Sequence, residues 1–432
     1  MKIKQLSVLL ILLLFSPLFL NFNQTAKPVT AQTTPNLYFG VDVAFESVAV
    51  TEQLIDNVSS YTNFFVIGCT GNYNLTRLTV ISQYVYNKGL TFIVYSDDPR
   101  YPSSQWLQEA KDNWGSNFIG IYYLDEEGGK QLDQPLYKYP IVKTATNYSN
   151  AAESYVNTMN LLLRNGSFSI AQRFAYPTEY QLFTSDYGLY WYDYQAGYNT
   201  VFTEFGWETG WANDSQQLNV ALCRGAATDF NEDWGVMITL THSLQIEPGP
   251  ALYSDMVGAY ENGAKYIIVF DSNANFTQNV LQQGQLDAMK QFWHYVQANP
   301  RTITPVSDRT AYVLPENYGY GFRGPDDKIW GLWNADSLTV DIGMSVSTLL
   351  QMDGNNLDIV YPSQALESVG YNRIVYWNDT ALIPASSPNP QQSASSSLYS
   401  NSVYLYATAA SIMIAVAIAS TVLKFRKKSS LF

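Results

Sequence analysis

Histidine and cysteine are almost missing from this chain, and charge is scarce. The two histidines, His242 and His294, are far apart and show no ligand spacing. Structural zinc sites need paired Cys and His ligands, so no zinc site is expected, and no cofactor motif stands in its place. The two cysteines, Cys69 and Cys223, can form one disulfide in an oxidising exterior, although they fall on distant expected elements. There is no Gly-x-Ser-x-Gly elbow and no sign of a Cys/His dyad, which argues against serine- or thiol-based nucleophilic catalysis. Lys and Arg number 24 against 37 Asp and Glu, a formal net charge of −13. Nucleic-acid binding rests on Lys and Arg neutralising phosphates, so no nucleic-acid partner is expected. Charged residues make up 14% of the chain, against about 25% in an ordinary soluble domain. Tyr, Asn, Gln, Ser and Thr take their place, as suits a surface hydrated by neutral polar groups and sugars.

The long apolar runs lie at the two ends. Lys2 and Lys4 precede an apolar stretch from Leu6 to Leu20, and a polar segment ends in Val29-Thr30-Ala31. This is the charged, apolar and small-residue order of a signal peptide, residues 1–31. An uncleaved anchor is the alternative, disfavoured because the run is shorter than the ~20 residues of a bilayer span. Residues 403–423 are apolar and uncharged, and Lys424, Arg426, Lys427 and Lys428 follow at once in the tail 424–432. A span of ~20 apolar residues crosses the hydrocarbon core, and a basic flank belongs on the cytoplasmic side. The expected topology is a single-pass membrane protein with an extracellular ectodomain. Eight Asn-x-Ser/Thr sequons, at Asn23, Asn57, Asn74, Asn147, Asn165, Asn213, Asn275 and Asn378, suit a glycoprotein. Residues 384–402, rich in Pro, Ser and Gln, cannot bury a core and read as a stalk.

Between these ends, short apolar runs alternate with amphipathic stretches. Strands are expected at 37–44, 63–68, 90–96, 118–124, 181–185, 200–205, 235–241 and 266–270. Helices are expected at 51–61, 75–87, 104–114, 151–164, 215–230, 252–262 and 285–297, with a short Tyr/Trp-rich helix after the fifth strand. Near-continuous apolar strands are those of a parallel sheet covered on both faces. Eight β/α units over residues 37–300 indicate a (β/α)8 barrel. A doubly wound open sheet is the alternative, weakened because no Gly-rich phosphate turn follows the first strand. Residues 309–379 read as a small α/β accessory domain, with strands at 311–315, 357–361 and 373–377 and a helix at 342–352.

Active sites of such barrels lie at the C-terminal strand ends. Carboxylates recur there: Asp42, Asp97-Asp98, Asp125-Glu126-Glu127, Asp186, Glu204 and Asp271, with His242 after the seventh strand. Asp also caps helices, so each acid alone has a structural explanation. The run Asp125-Glu126-Glu127-Gly128-Gly129 is more specific. Crowded acids raise at least one pKa, which is how a carboxyl becomes a general acid near neutral pH. The same run could instead hold a hard cation, but no metal is expected. Tyr123, Trp207 and Trp211 are candidate sugar-stacking residues, whereas Tyr122, Tyr190 and Trp191 read as core.

The segment FIGIYYLDEEGGKQLD at 118–133 resembles the Gly-x-Tyr-x-x-Asp-Glu-Pro-Gly-Gly signature after strand four of several glycoside-hydrolase-like barrels, with Glu127 where Pro is usual. The segment 311–333 is similar to the accessory part of related surface proteins. The resemblance spans roughly residues 37–298 and places no single family. It implies a carbohydrate substrate and acid/base hydrolysis, with the catalytic pair drawn from strands four and six: Asp125 or Glu126, and Glu204. Glu126 is the expected general acid, Glu204 or Asp125 the nucleophile or base, and Asp186 and Asp42 orienting or hydroxyl-binding groups. His242 and Asp271 are further candidates for substrate contact. The rival expectation is a non-catalytic glycan-binding or cell-envelope protein, which needs the aromatics but not a converging pair of carboxyls.

Overall fold

The computed structural model describes residues 36–379, apart from 45–46, 69–73, 99–100, 135, 166–179, 207–212, 242–245, 274–277 and 325. The signal peptide, stalk, apolar span and basic tail expected from the sequence lie outside the described residues, as do Trp207, Trp211, His242 and Cys69. Among the described residues, no helix is long and apolar enough to cross a membrane.

The eight expected strands are present: β1 Tyr38–Val43, β2 Phe64–Ile67, β3 Thr91–Ser96, β4 Phe118–Tyr123, β5 Gln181–Asp186, β6 Thr200–Gly206, β7 Asp233–Thr239 and β8 Tyr266–Phe270. They pair in parallel in chain order, and β1 closes on β8 through Tyr38 opposite Tyr266 and Asp42 opposite Phe270. The helices are α1 Val48–Val58, α2 Leu75–Asn87, α3 Ser104–Trp114, α4 Glu127–Leu132, α5 Tyr148–Asn160, α6 Tyr190–Ala196, α7 Asn213–Phe230, α8 Gly249–Glu261 and α9 Gln283–Ala298. Ser47, Asn74, Ser103 and Asn147 cap α1, α2, α3 and α5 through their side-chain oxygens. In the barrel, α4 stands where a long loop is expected.

Side chains alternate across each strand. On β1, Phe39 faces outward and meets Phe292 of α9 edge-on at 4.8 Å, while Tyr38 stacks on Tyr266 at 4.9 Å inside the barrel. Phe64, Phe183, Phe202 and Tyr266 crowd the interior with Val66, Ile93, Met237 and Ile268. The lower barrel is therefore a packed aromatic core, and space opens only toward the C-terminal strand ends.

A second, three-stranded parallel sheet follows, with β9 Thr310–Val313 between β10 Leu357–Val360 and β11 Arg373–Tyr376, and with α10 Ser337–Asp353 and α11 Leu366–Val369. Among the described residues it belongs to the same compact unit as the barrel. Its anchor is Asp358 on β10, fully buried and ion-paired to Arg224 of α7 and to Arg309, each at 2.7 Å. Gly225 lets α7 approach this closely: a Cβ there would stand 2.6 Å from the Ile359 carbonyl. From the other side Trp330, completely buried, packs on Tyr155 and Tyr192, and its carbonyl accepts from Gln131 of α4. The segment 311–333 thus buttresses the helix that follows β4.

Candidate active site

A cavity of about 440 Å³ opens at the C-terminal end of the barrel. Asp42, Asp97, Asp125, Glu126 and Glu204 line it, with Lys130 as the one basic residue among the described lining residues. Tyr95, Tyr122 and Phe270 supply aromatic walls.

Parity along the strands decides which expected residues reach it. Ser185 and Glu204 face inward, as do Tyr122 and Phe270. The neighbours Tyr123 and Asp186 face outward, and neither lines the cavity. Tyr123, expected to stack on sugar, is instead buried, its carbonyl accepting from Tyr198 Oη. Tyr122, expected as core, forms a wall of the cavity and donates to Asp125 Oδ1 at 2.5 Å. Tyr190 and Trp191 are core residues as expected, buried against Thr203 and against Phe230 and Tyr361 respectively.

Asp186 has a structural task. Its Oδ2 accepts from Gly128 N at 2.6 Å, and its Oδ1 from Gly129 N, Tyr187 N and Gly188 N at 2.8, 2.7 and 3.0 Å. It thereby caps α4 from β5 and supplies an acceptor to the orphan amides of its first turn. Burial still pushes Asp186 up to about 7, against the pull of these amides. The glycine pair of the 118–133 signature follows from the same contact. A Cβ on Gly128 would stand 2.4 Å from the Gly188 carbonyl, and one on Gly129 2.2 Å from the Tyr187 ring. Asp271 is likewise structural: it is buried, and its Oδ1 accepts from Val280 N and Leu281 N at 2.7 and 2.8 Å.

Capping α4 this way forces the preceding residues into a tight turn. Leu124 and Glu126 adopt left-handed conformations, φ 60° and 57°, which cost an L-residue about 1 kcal/mol each and cluster at functional sites. Glu126 N donates to Ser185 O at 2.9 Å, and Leu124 N to Ser96 O at 3.0 Å. The turn aims Glu126 into the cavity, where its carboxyl hydrogen-bonds Glu204 of β6. Ser185 Oγ donates to Glu204 Oε1 at 2.8 Å.

Burial, then Asp125, pushes Glu126 up to about 8. Glu204 is pushed well above its ordinary value by burial, then by Glu126 and Asp125, with the Ser185 hydroxyl pulling the other way. Burial raises Asp125 as well, but the Lys130 ammonium and the Tyr122 hydroxyl act to keep its charge. Lys130 Nζ donates to the Asp125 carbonyl and lies 3.7 Å from Glu127. Asp42 is raised well above the usual carboxylate range by burial and by Asp125. The arrangement can hold a proton between the Glu126 and Glu204 carboxyls. That is a proton donor and an anion in one cavity.

No protein-family profile matches this sequence, and no curated protein matches it. Solved barrels do. The chain is similar to the endo-beta-1,4-mannanase from Thermotoga petrophila, at 7% identity and a TM-score of 0.41 over 65% of this chain and 82% of that one. The beta-1,4-D-mannanase from Cryptopygus antarcticus is 12% identical, with a TM-score of 0.38 over 59% and 89%. A GH99 endo-alpha-mannosidase from Bacteriodes thetaiotaomicron is 11% identical, with a TM-score of 0.39 over 58% and 84%. Scores this low support no transfer of residues or substrates, and the fold assignment rests on the strand pairing itself.

Ser185, Lys130 and Tyr95 were not singled out by the sequence reading. Strand parity was the available signal for Ser185, and the spacing of Lys130, one helical turn from Glu126, was the signal for the lysine. Cys223 is a buried free thiol that donates to the Val201 carbonyl. His294 is exposed on α9.

Proposed function

We propose that this chain is an extracellular, membrane-anchored glycoside hydrolase acting on a polysaccharide or glycan. The observation that carries the reading is the hydrogen-bonded pair Glu126–Glu204 at the open end of a closed barrel. A pair that holds one proton provides an acid and a carboxylate at once. Glu126 protonates the leaving glycosidic oxygen. Glu204, whose charge Ser185 favours, attacks the anomeric carbon as the leaving alcohol departs. Water then cleaves the glycosyl ester, giving its proton to Glu126. A carboxyl that attacks directly gives retention of configuration, the outcome of carboxyls about 5–5.5 Å apart rather than the ~6.5–9.5 Å that leave room for a water. Asp125 stabilises the positive charge that develops at the anomeric centre.

The anchoring part of the proposal stands on the sequence: the apolar run 403–423 with its basic flank, and the signal-like N-terminus. Exposed sequon asparagines at Asn57, Asn74, Asn147 and Asn378 suit an ectodomain that carries sugars.

A second reading, a glycan-binding protein without catalysis, is favoured by the walls Tyr95, Tyr122 and Phe270, which need no proton transfer to hold a sugar ring. A polysaccharide panel tests the choice. The hydrolase reading expects reducing ends to be released from at least one neutral polysaccharide, and retention of a glycan with no release on any would overturn it.

A further inference from the structure

Asp42 closes β1 at the cavity wall with only 4% of its surface exposed, and its Oδ1 has no hydrogen-bond partner. A buried carboxyl oxygen left this way costs free energy until a ligand donates to it. Asp97, Asp125, Glu126 and Glu204 share the cavity with it, and Lys130 is already engaged by Asp125 and Glu127. Among the described lining residues, five acids face one lysine.

We propose that the cavity contains a subsite for a protonated amine, so that the sugar unit it takes carries a free amino group and not an acidic substituent. This deepens the glycan-site reading and rests on it. An ammonium brings three donors and a charge, and its bonds to carboxylates are stronger than those of a neutral hydroxyl. The aromatic walls Tyr95, Tyr122 and Phe270 offer π faces that attract the same cation. A uronate or sulfate brings no cation to these carboxyls and repels any that are ionised, which discriminates against it.

The subsite also has a proton signature. With the cavity empty, burial and acidic neighbours favour the uncharged forms of Asp42 and Glu126. An arriving ammonium favours the charged forms, so its binding releases protons to the solvent. A neutral sugar releases none.

The test is calorimetric titration of the full-length chain at pH 7, in two buffers of different ionisation heat. The probes are the glucosamine disaccharide, its N-acetylated counterpart and a disaccharide ending in glucuronate. The amine disaccharide should bind about tenfold more tightly than the N-acetylated one, with the glucuronate form weakest. About one proton should be released with the amine alone. Asp42→Asn should erase the preference. Should that variant fold poorly, the proton release and its loss at high salt in the unaltered chain decide the matter. Equal or tighter binding of the N-acetylated or glucuronate disaccharide overturns the subsite. Hydrolysis of a neutral polysaccharide without amine preference would sink the subsite and leave the hydrolase standing. Amine-selective binding with no hydrolysis anywhere would do the reverse.

Discussion

Glu126, in the turn after β4, and Glu204, on β6, share a hydrogen bond across the strand between them, and Ser185 on that strand holds both. Its carbonyl accepts from Glu126 N, and its hydroxyl donates to Glu204. Two acids from separate strands are thus placed by one residue, and the placement depends on α4 being capped from β5.

Asp186→Ala should therefore act at a distance. Three buried backbone amides and one part-buried amide lose their acceptor, at a cost of at least about 3 kcal/mol when each buried donor left unsatisfied costs at least ~1 kcal/mol. The urea midpoint should fall with little change in slope, and turnover should fall with it because Glu126 loses its turn. A midpoint within error of the parent would remove the capping role.

How far the sequence carried this site depends on the residue. Eight apolar runs alternating with amphipathic stretches expose the barrel because parallel strands must be apolar on both faces. The pairing of strands four and six comes from a resemblance, and the structure places Glu126 and Glu204 in one cavity. Tyr123 and Asp271 lie outside the cavity because alternation, not proximity to a strand end, decides which side chain enters it, and Asp186 orients Glu126 from the helix side, through α4. Moving one residue along a strand exchanges the cavity for the helix layer, which separates Tyr122 from Tyr123 and Ser185 from Asp186. No local pattern shows that Asp271 folds back on Val280 and Leu281, because that contact depends on where the chain returns.

The raised carboxyls give stability a direction with pH. Glu126 and Asp186 rise from 4.5 and 3.8 to about 8 and about 7 on folding. The folded state then binds more protons than the unfolded chain between these limits, so stability falls as pH rises through the window. The melting temperature should decline from pH 5 to pH 8, and Glu126→Gln should flatten part of that slope. A melting temperature that climbs over this range contradicts the assignment.

Arg224→Ala tests the link between the two sheets. Asp358 would keep only Arg309 as an ionic partner in a buried site, and breaking such a pair costs about 3–5 kcal/mol. Hydrogen exchange should rise first in β10 and α7. Unchanged protection there would show that the ion pairs do not hold the sheet.

The fragment from Gln32 to Asn401 should be soluble without detergent, because both long apolar runs lie outside it. Its partition into vesicles would overturn the single-anchor topology.

The central claim is that Glu126 and Glu204 do chemistry on a glycosidic bond. Hydrolysis and glycan retention, measured side by side for Glu126→Gln, Glu204→Gln and Trp207→Ala, test it most directly. The account predicts that each Glu→Gln change cuts turnover about 100- to 10,000-fold, the range of general acid–base catalysis, while the glycan is still held. Trp207→Ala should mainly weaken binding, since a stacking face holds substrate and transition state alike. The contrary result is no hydrolysis by any form, with retention lost in Trp207→Ala and intact in both glutamine variants.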